Sequence, residues 1–113
     1  MTTSTETTIQ FTGKSGSQYK FWIYPLGTAF KDSPGIYGWL KETAPGTFRP
    51  VYFGQTGSLR DRHGGDHHKE AEVKRNGATH ICARVTSGTE AQRLAEEKDL
   101  IENYKPVCND TLT

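Results

Sequence analysis

The stretch Gly35-Ile36-Tyr37-Gly38-Trp39-Leu40-Lys41, then Glu42-Thr43-Ala44-Pro45-Gly46, then Thr47-Phe48-Arg49-Pro50-Val51-Tyr52-Phe53-Gly54-Gln55-Thr56, decides how this chain is read. Residues 35–41 alternate as a short strand, residues 42–46 turn the chain, and residues 47–56 form a second strand. Pro50 lacks a ladder donor, so it belongs on an edge strand or at a strand's beginning. The reading puts Tyr37 and Tyr52 on neighbouring strands. Gly35 and Gly54 let a second backbone or a ligand approach closely. Strand tyrosines are ordinarily packing residues, so neither indicates chemistry by itself.

Upstream, Ile9-Gln10-Phe11 and Tyr19-Lys20-Phe21-Trp22-Ile23-Tyr24 flank Gly13-Lys14-Ser15-Gly16-Ser17, the pattern of a β-hairpin. Tyr19, Phe21 and Ile23 fall on one face of it, Trp22 and Tyr24 on the other. This aromatic hairpin is expected to pack as ordinary core rather than serve as a spare sheet edge or dimer contact. Residues 1–8 are Thr-rich and read as frayed, and residues 25–34 read as a loop. Downstream, Ser58 with Asp61 resembles a helix N-cap, and a helical stretch runs to about Asn76, interrupted by Gly64-Gly65. Residues 79–86 alternate Ile81, Ala83 and Val85 as a third strand. Ser87-Gly88-Thr89-Glu90 matches a capping box and opens a helix to about Tyr104, which Pro106 ends. The expected fold is mixed α+β: a central three-stranded antiparallel sheet flanked by helices, with an extra N-terminal hairpin. Residues 1–34 form the tail and hairpin, and residues 35–113 the core of one compact domain.

The composition bounds the possibilities. A chain of 113 residues has room for one domain. Leu, Ile, Val and Phe supply only 20 residues, but the net charge of +1 removes the repulsion that disorder requires. Twelve aromatic residues add core material. No apolar run approaches a membrane span, and Met1-Thr2-Thr3-Ser4-Thr5-Glu6 lacks the parts of a secretory signal. Cys82 and Cys108, without CxxC spacing, suggest reduced thiols and a cytoplasmic setting, a single bond between them being the other possibility. Fourteen Lys and Arg against thirteen Asp and Glu argue against a simple polyelectrolyte binder of nucleic acid. A local basic site is still allowed.

Two places carry candidate chemistry. At roughly 100° per residue from Leu94, the residues Ala91, Leu100, Ile101 and Tyr104 share an apolar arc of the last helix. Glu97 falls inside that arc, whereas Glu96 and Asp99 face away. A carboxylate on a buried stripe needs a positive partner, whether Arg, Lys or a metal ion. The plain structural reading is a marginal Glu bridging to a basic neighbour. The second place is Arg60-Asp61-Arg62-His63-Gly64-Gly65-Asp66-His67-His68-Lys69; all four histidines lie between Ser58 and His80. Such concentration suits proton transfer, metal ligation or phosphate contact, and the plain alternative is a solvated helix face. His63 and His67 have zinc-chelating spacing on a helix, but Gly64-Gly65 weakens it and no Cys is near, which disfavours structural zinc. Arg62 offers a guanidinium fork suited to phosphate.

Taken in order, these residues resemble the GIY-YIG nuclease family. Gly35-Ile36-Tyr37 is its first motif intact, and Tyr52-Phe53-Gly54 its second with Phe in the middle. Arg62 stands eight residues past Gly54, where the family places its arginine. Glu97, Lys105-Pro106 and Asn109 reproduce the family's metal-binding Glu, its Pro and its Asn. The likeness covers roughly residues 35–109 and departs in places. Many members carry a His one turn past the Arg; Asp66 stands there, with His67 next and His63 as the other candidate. Gln55 replaces a lysine that some members have.

The resemblance implies a metal-dependent DNA endonuclease. Glu97 would hold one Mg²⁺ or Mn²⁺, Arg62 would clamp the scissile phosphate, and Tyr37 would act as general base or position the attacking water. Tyr52 would orient water and phosphate, and Asn109 would fix the substrate or the Glu97 side. A tyrosine of ordinary pKa is a poor base near neutrality, and His67 is the candidate to assist it. Arg60, Arg62, His63, His68 and Lys69 are the expected nucleic-acid contacts. The products would be 5′-phosphate and 3′-hydroxyl ends. The partner would be DNA, double-stranded by expectation, with a homodimer or targeting partner supplying specificity and no membrane involved. The alternative from another class is a nucleic-acid-binding or protein-interaction module on the same fold that does not cleave.

Overall fold

The computed structural model describes residues 7–60, 69–86 and 88–109. Its strands are β1 (Thr7–Thr12), β2 (Gln18–Pro25), β3 (Gly35–Ala44), β4 (Thr47–Thr56) and β5 (His80–Val85). Its helices over these residues are α1 (Glu70–Arg75) and α2 (Glu90–Tyr104). All five strands join one sheet in the order β1-β2-β5-β3-β4, every pair antiparallel. The fold is thus mixed α+β, but the sheet has five strands, not three with a separate hairpin. Trp22 to Pro25 pair with Ala83 to His80, which zips β2 onto the edge that β5 would otherwise expose. The physical reason is edge satisfaction: an open β5 would present unpaired backbone donors and acceptors.

The two sheet faces carry two cores. Phe11, Phe21, Ile36, Leu40, Phe53 and Cys82 pack with Leu100 of α2 on one face. Tyr37, Trp39, Val51, Ile81, Ala83 and Cys108 pack with Leu59 and with Val73 of α1 on the other. The hairpin belongs to the first core outright. Phe11 sits edge-on to Phe21, Phe53 and Tyr104, with ring centroids 5.4–5.6 Å apart. Cys82 and Cys108 are free thiols buried in different cores, so no disulfide joins them.

Local sequence explains the boundaries, with adjustments. β3 extends to Ala44, because Pro45-Gly46 alone makes the turn; Gly46 takes φ 78°, and its N–H donates to Glu42 Oε2. Pro50 lies on edge strand β4, beside a register shift that leaves Val51 outside the pairing with β3. The capping box of α2 is formed by Thr89 and Gln92, two residues later than the Ser87–Glu90 pair expected. The chain turns helical at Leu59, directly after Ser58; residues 61–68 of that expected stretch lie outside the described residues, and its later part is α1. Among the described residues no helix is long and apolar enough to cross a membrane.

The flank of α2 that the helical wheel turns away from the apolar arc is engaged by other elements at Asp99, Asn103 and Glu96, while Lys98 and Glu102 are exposed. Asp99 accepts from Ser15 N–H at 2.8 Å, Ser15 Oγ at 2.7 Å and the Tyr19 hydroxyl at 2.8 Å. Asn103 Nδ2 donates to Thr12 O, and Thr12 N–H donates to the Tyr104 hydroxyl. Glu96 receives Arg84 Nε at 3.3 Å. The hairpin turn therefore hooks over α2, which the wheel cannot show because it knows nothing of a second element on the helix flank. Leu94, centre of the expected arc, is 46% exposed, whereas Leu100 is fully buried.

The Ser15 hydrogen bonds, aided by Tyr19, hold the Asp99 carboxyl below its ordinary value of 3.8. Its stabilisation is present above that value and is lost as pH falls through the lower native one. Asp99→Asn is expected to lower the melting temperature at pH 7, with the deficit fading below about pH 3.8. Thermal unfolding followed across pH checks this; a deficit that persists unchanged in acid would refute the latch.

Candidate functional site

The site is built along the outer edge of β4. Successive backbone groups of an antiparallel edge strand alternate inward and outward, so Val51, Phe53 and Gln55 turn theirs away from β3. Cys108 N–H donates to Val51 O at 3.0 Å. The Asn109 side chain then acts as an extra strand: Phe53 N–H donates to Oδ1 and Nδ2 donates to Phe53 O, both at 2.8 Å. Two residues further, the backbone N–H of Gln55 lies on the Glu97 side and favours its charged carboxylate. Lys105 ends α2 in the left-handed region at φ 47°, and with Pro106 it turns the chain so that Cys108 and Asn109 can lie against the strand.

Tyr37 and Tyr52 stand on the other face. The register sets Tyr37 opposite Gly54 and Trp39 opposite Tyr52. Ring centroids of Tyr37 and Tyr52 are 6.1 Å apart, and Trp39 lies 5.9 Å from each. A Cβ at Gly54 would collide with the hydroxyl and ring of Tyr37, so this glycine is the floor on which the phenol rests. Tyr37 is 2% exposed. Gly54 thus lies between Tyr37 on one face and the edge groups held by Glu97 and Asn109. Three positions distant in sequence, Tyr37, Glu97 and Asn109, thus lie about Gly54 and its two neighbours.

Glu97 is half-buried, and burial raises its carboxyl above the ordinary 4.5, offset in part by the Gln55 N–H. Beside it, one turn earlier on α2, Arg93 donates from Nε to Gln55 Oε1 and from Nη1 to Gly88 O, each at 3.0 Å. Sequence reasoning missed Arg93, though its i, i+4 spacing from Glu97 is readable. Gln55 occupies the place where the resemblance implies a lysine in some members, and it is Arg93 that brings a cation there.

The Asn109 amide binds the Phe53 backbone and so positions the edge of β4. Arg60 bridges Asp32 at 3.4 Å with both side chains more than half exposed, a pair worth at most about 1 kcal/mol. Lys69 precedes α1 and bridges Glu72 at 3.2 Å. Arg62, His63, His67 and His68 lie outside the described residues. Among the described residues no group of three His, Cys, Asp or Glu side chains could hold a metal ion, which leaves Glu97 as a single-carboxylate candidate. No protein-family model and no curated protein matches the chain.

Gly54→Ala is expected to cost about 1–3 kcal/mol, because Tyr37 is packed on both sides and cannot yield. Gly57→Ala, whose added carbon meets only Arg93 Nη2 at 3.8 Å, serves as the near-neutral control in denaturant unfolding. Glu97→Gln keeps an acceptor for Gln55 but removes the buried charge. Because the native carboxyl titrates above 4.5, wild type loses stability as pH rises through that window. The variant should therefore match wild type below about pH 4.5 and melt higher at pH 7, and a lower melting point at pH 7 would contradict the desolvation argument.

Proposed function

We propose that this protein is a metal-dependent endonuclease that hydrolyses DNA phosphodiester bonds. The observation that carries the reading is the convergence of Tyr37, Gly54, Glu97 and Asn109 at one stretch of β4, with Arg93 beside them. A purely structural edge cap does not need a carboxylate there, since an amide such as Asn109 satisfies the same backbone groups without a desolvation cost. A half-buried carboxylate offering oxygen to a hard cation fits Mg²⁺ or Mn²⁺, which retains several waters and needs few protein ligands. That ion, held by Glu97, would supply charge stabilisation at the phosphate.

The chain's own groups do the rest. Tyr37, assisted by His67, takes or directs the proton of the attacking water, and Tyr52 orients that water against the phosphorus. Arg62 clamps the non-bridging oxygens, while Arg93 adds positive charge from the α2 side. As the water oxygen bonds to phosphorus, the bond to the 3′ oxygen breaks. That oxygen takes up a proton, leaving a 3′-hydroxyl and a 5′-phosphate. Asn109 fixes the edge on which Glu97 rests. The near-complete burial of Tyr37 is the observation that favours the second reading, a module on this fold that binds without cleaving.

Supercoiled plasmid incubated with Mg²⁺ or Mn²⁺ separates the two. The natural protein should nick it, and Glu97→Gln should lose at least about a hundredfold in rate while still binding DNA. Binding by both without nicking identifies the module, and equal cutting by both places the site elsewhere.

A further inference from the structure

A second concavity opens on the Tyr37 face of the sheet, with a volume of about 530 Å³, within the ~300–1,000 Å³ usual for small-ligand clefts. Its floor is Ala83 of β5, and its walls are Trp22 and Tyr24 of β2, Leu59, and the loop carrying Phe30 and Lys31. Tyr24 and Phe30 meet edge-to-face at 5.2 Å. The register sets Trp22 opposite Ala83 and Ala83 opposite Tyr37, a row across three adjacent strands. Trp22 therefore stands two strand spacings, about 10 Å, from Tyr37. The loop wall is also bolted to the segment that leads to Arg62. Leu59 N–H donates to Ser33 O at 2.8 Å, and Arg60 N–H to Lys31 O at 3.1 Å.

Charge complementarity decides the occupant. Lys20 Nζ lies 5.2 Å from the Trp22 ring centroid, Lys31 lines the wall, and Arg60 is on the rim side with Asp32. Flat aromatic walls ringed by cations match an aromatic group carried on a polyanion, not an apolar peptide. We propose that this groove takes one unstacked nucleobase of a DNA strand whose neighbouring phosphate lies at Tyr37, with Trp22 and Tyr24 stacking the base and Lys20 and Lys31 meeting its flanking phosphates. The proposal rests on the nuclease reading only for the place of that phosphate. It makes strands with an unpaired base, rather than continuous duplex, the preferred substrate.

The test uses the full chain carrying Glu97→Gln, with a short single-stranded oligonucleotide and a blunt duplex as probes. Single strand should quench tryptophan fluorescence. Trp22→Ala should abolish that quench and weaken single-strand binding about tenfold, with duplex binding little changed and Trp22→Phe restoring most of the affinity. Lys31→Glu, on an exposed loop position, should also weaken single-strand binding several-fold without touching the core. Unchanged single-strand affinity in both Trp22→Ala and Lys31→Glu overturns the proposal, whatever the nicking assay gives. Plasmid nicking by the chain with Glu97 intact is followed in parallel. Trp22-dependent single-strand binding without nicking upholds the groove and removes only the nuclease reading.

Discussion

The outer edge of β4 must be closed, and the way it is closed organises the remainder of the molecule. β4 ends the sheet, so the outward groups of Val51, Phe53 and Gln55 have no strand to meet them. Each such group, if covered and unpaired, would cost about 1–3 kcal/mol. The chain answers with Cys108 N–H at Val51 and the Asn109 amide at Phe53, and the Glu97 carboxylate lies beside the Gln55 N–H further along the strand. That solution requires α2 to cross over β4 and to stop where Lys105 and Pro106 can reverse the backbone. The same closure brings a carboxylate to within one residue of the glycine under Tyr37. Edge protection and assembly of the candidate site are thus one structural event.

Much of this was legible in the residues. Alternation located β3, β4 and β5, and placed Tyr19, Phe21 and Ile23 opposite Trp22 and Tyr24, because a half-covered strand shows its two faces directly in sequence. Glu97 stood out as a charge among apolar neighbours. What stayed hidden depended on contacts between distant elements. Nothing in Thr7–Pro25 announces that β2 will pair with β5, since sheet order is set by which edges are left to satisfy. Asp99 and Glu96 read only as facing away from the apolar arc, because a wheel drawn for one buried stripe cannot represent a hairpin turn at one flank or Arg84 of β5 at another. Asn109 read as fixing the substrate or the Glu97 side, and the strand backbone that its amide meets is not visible in the sequence.

The helix α2 therefore has three working sides. Leu100 and Tyr104 face the aromatic core, Asp99 and Asn103 hold the hairpin turn, and Arg93 with Glu97 meets the end of β4. The stripe of Ala91, Leu94, Ala95, Lys98 and Glu102 is left exposed. A 15-residue helix used this fully cannot rotate or slide without breaking polar contacts on two flanks. Those contacts fix where Glu97 stands, and under the proposed nuclease reading that position would be the protein's main control over a bound ion.

Electrostatics follow from the same geometry. The chain's net charge of +1 gives little general attraction to a polyanion, so any affinity for DNA must come from cations placed together. Lys20, Lys31 and Arg60 gather around the aromatic groove, and Arg93 lies beside Glu97, while Asp99 and Glu96 are turned to the hairpin and to Arg84. Asp99 and Glu96 are thus engaged on the α2 side of the molecule, and Lys20, Lys31 and the Arg60–Asp32 pair lie about the aromatic groove. Exposed bridges such as Arg60–Asp32 hold those bases with little energy, so re-pairing with a phosphate would cost little. A nearly neutral protein can in this way present a locally cationic surface. Under the proposed reading, discrimination between substrates would fall to aromatic stacking in the groove, which bulk charge cannot supply.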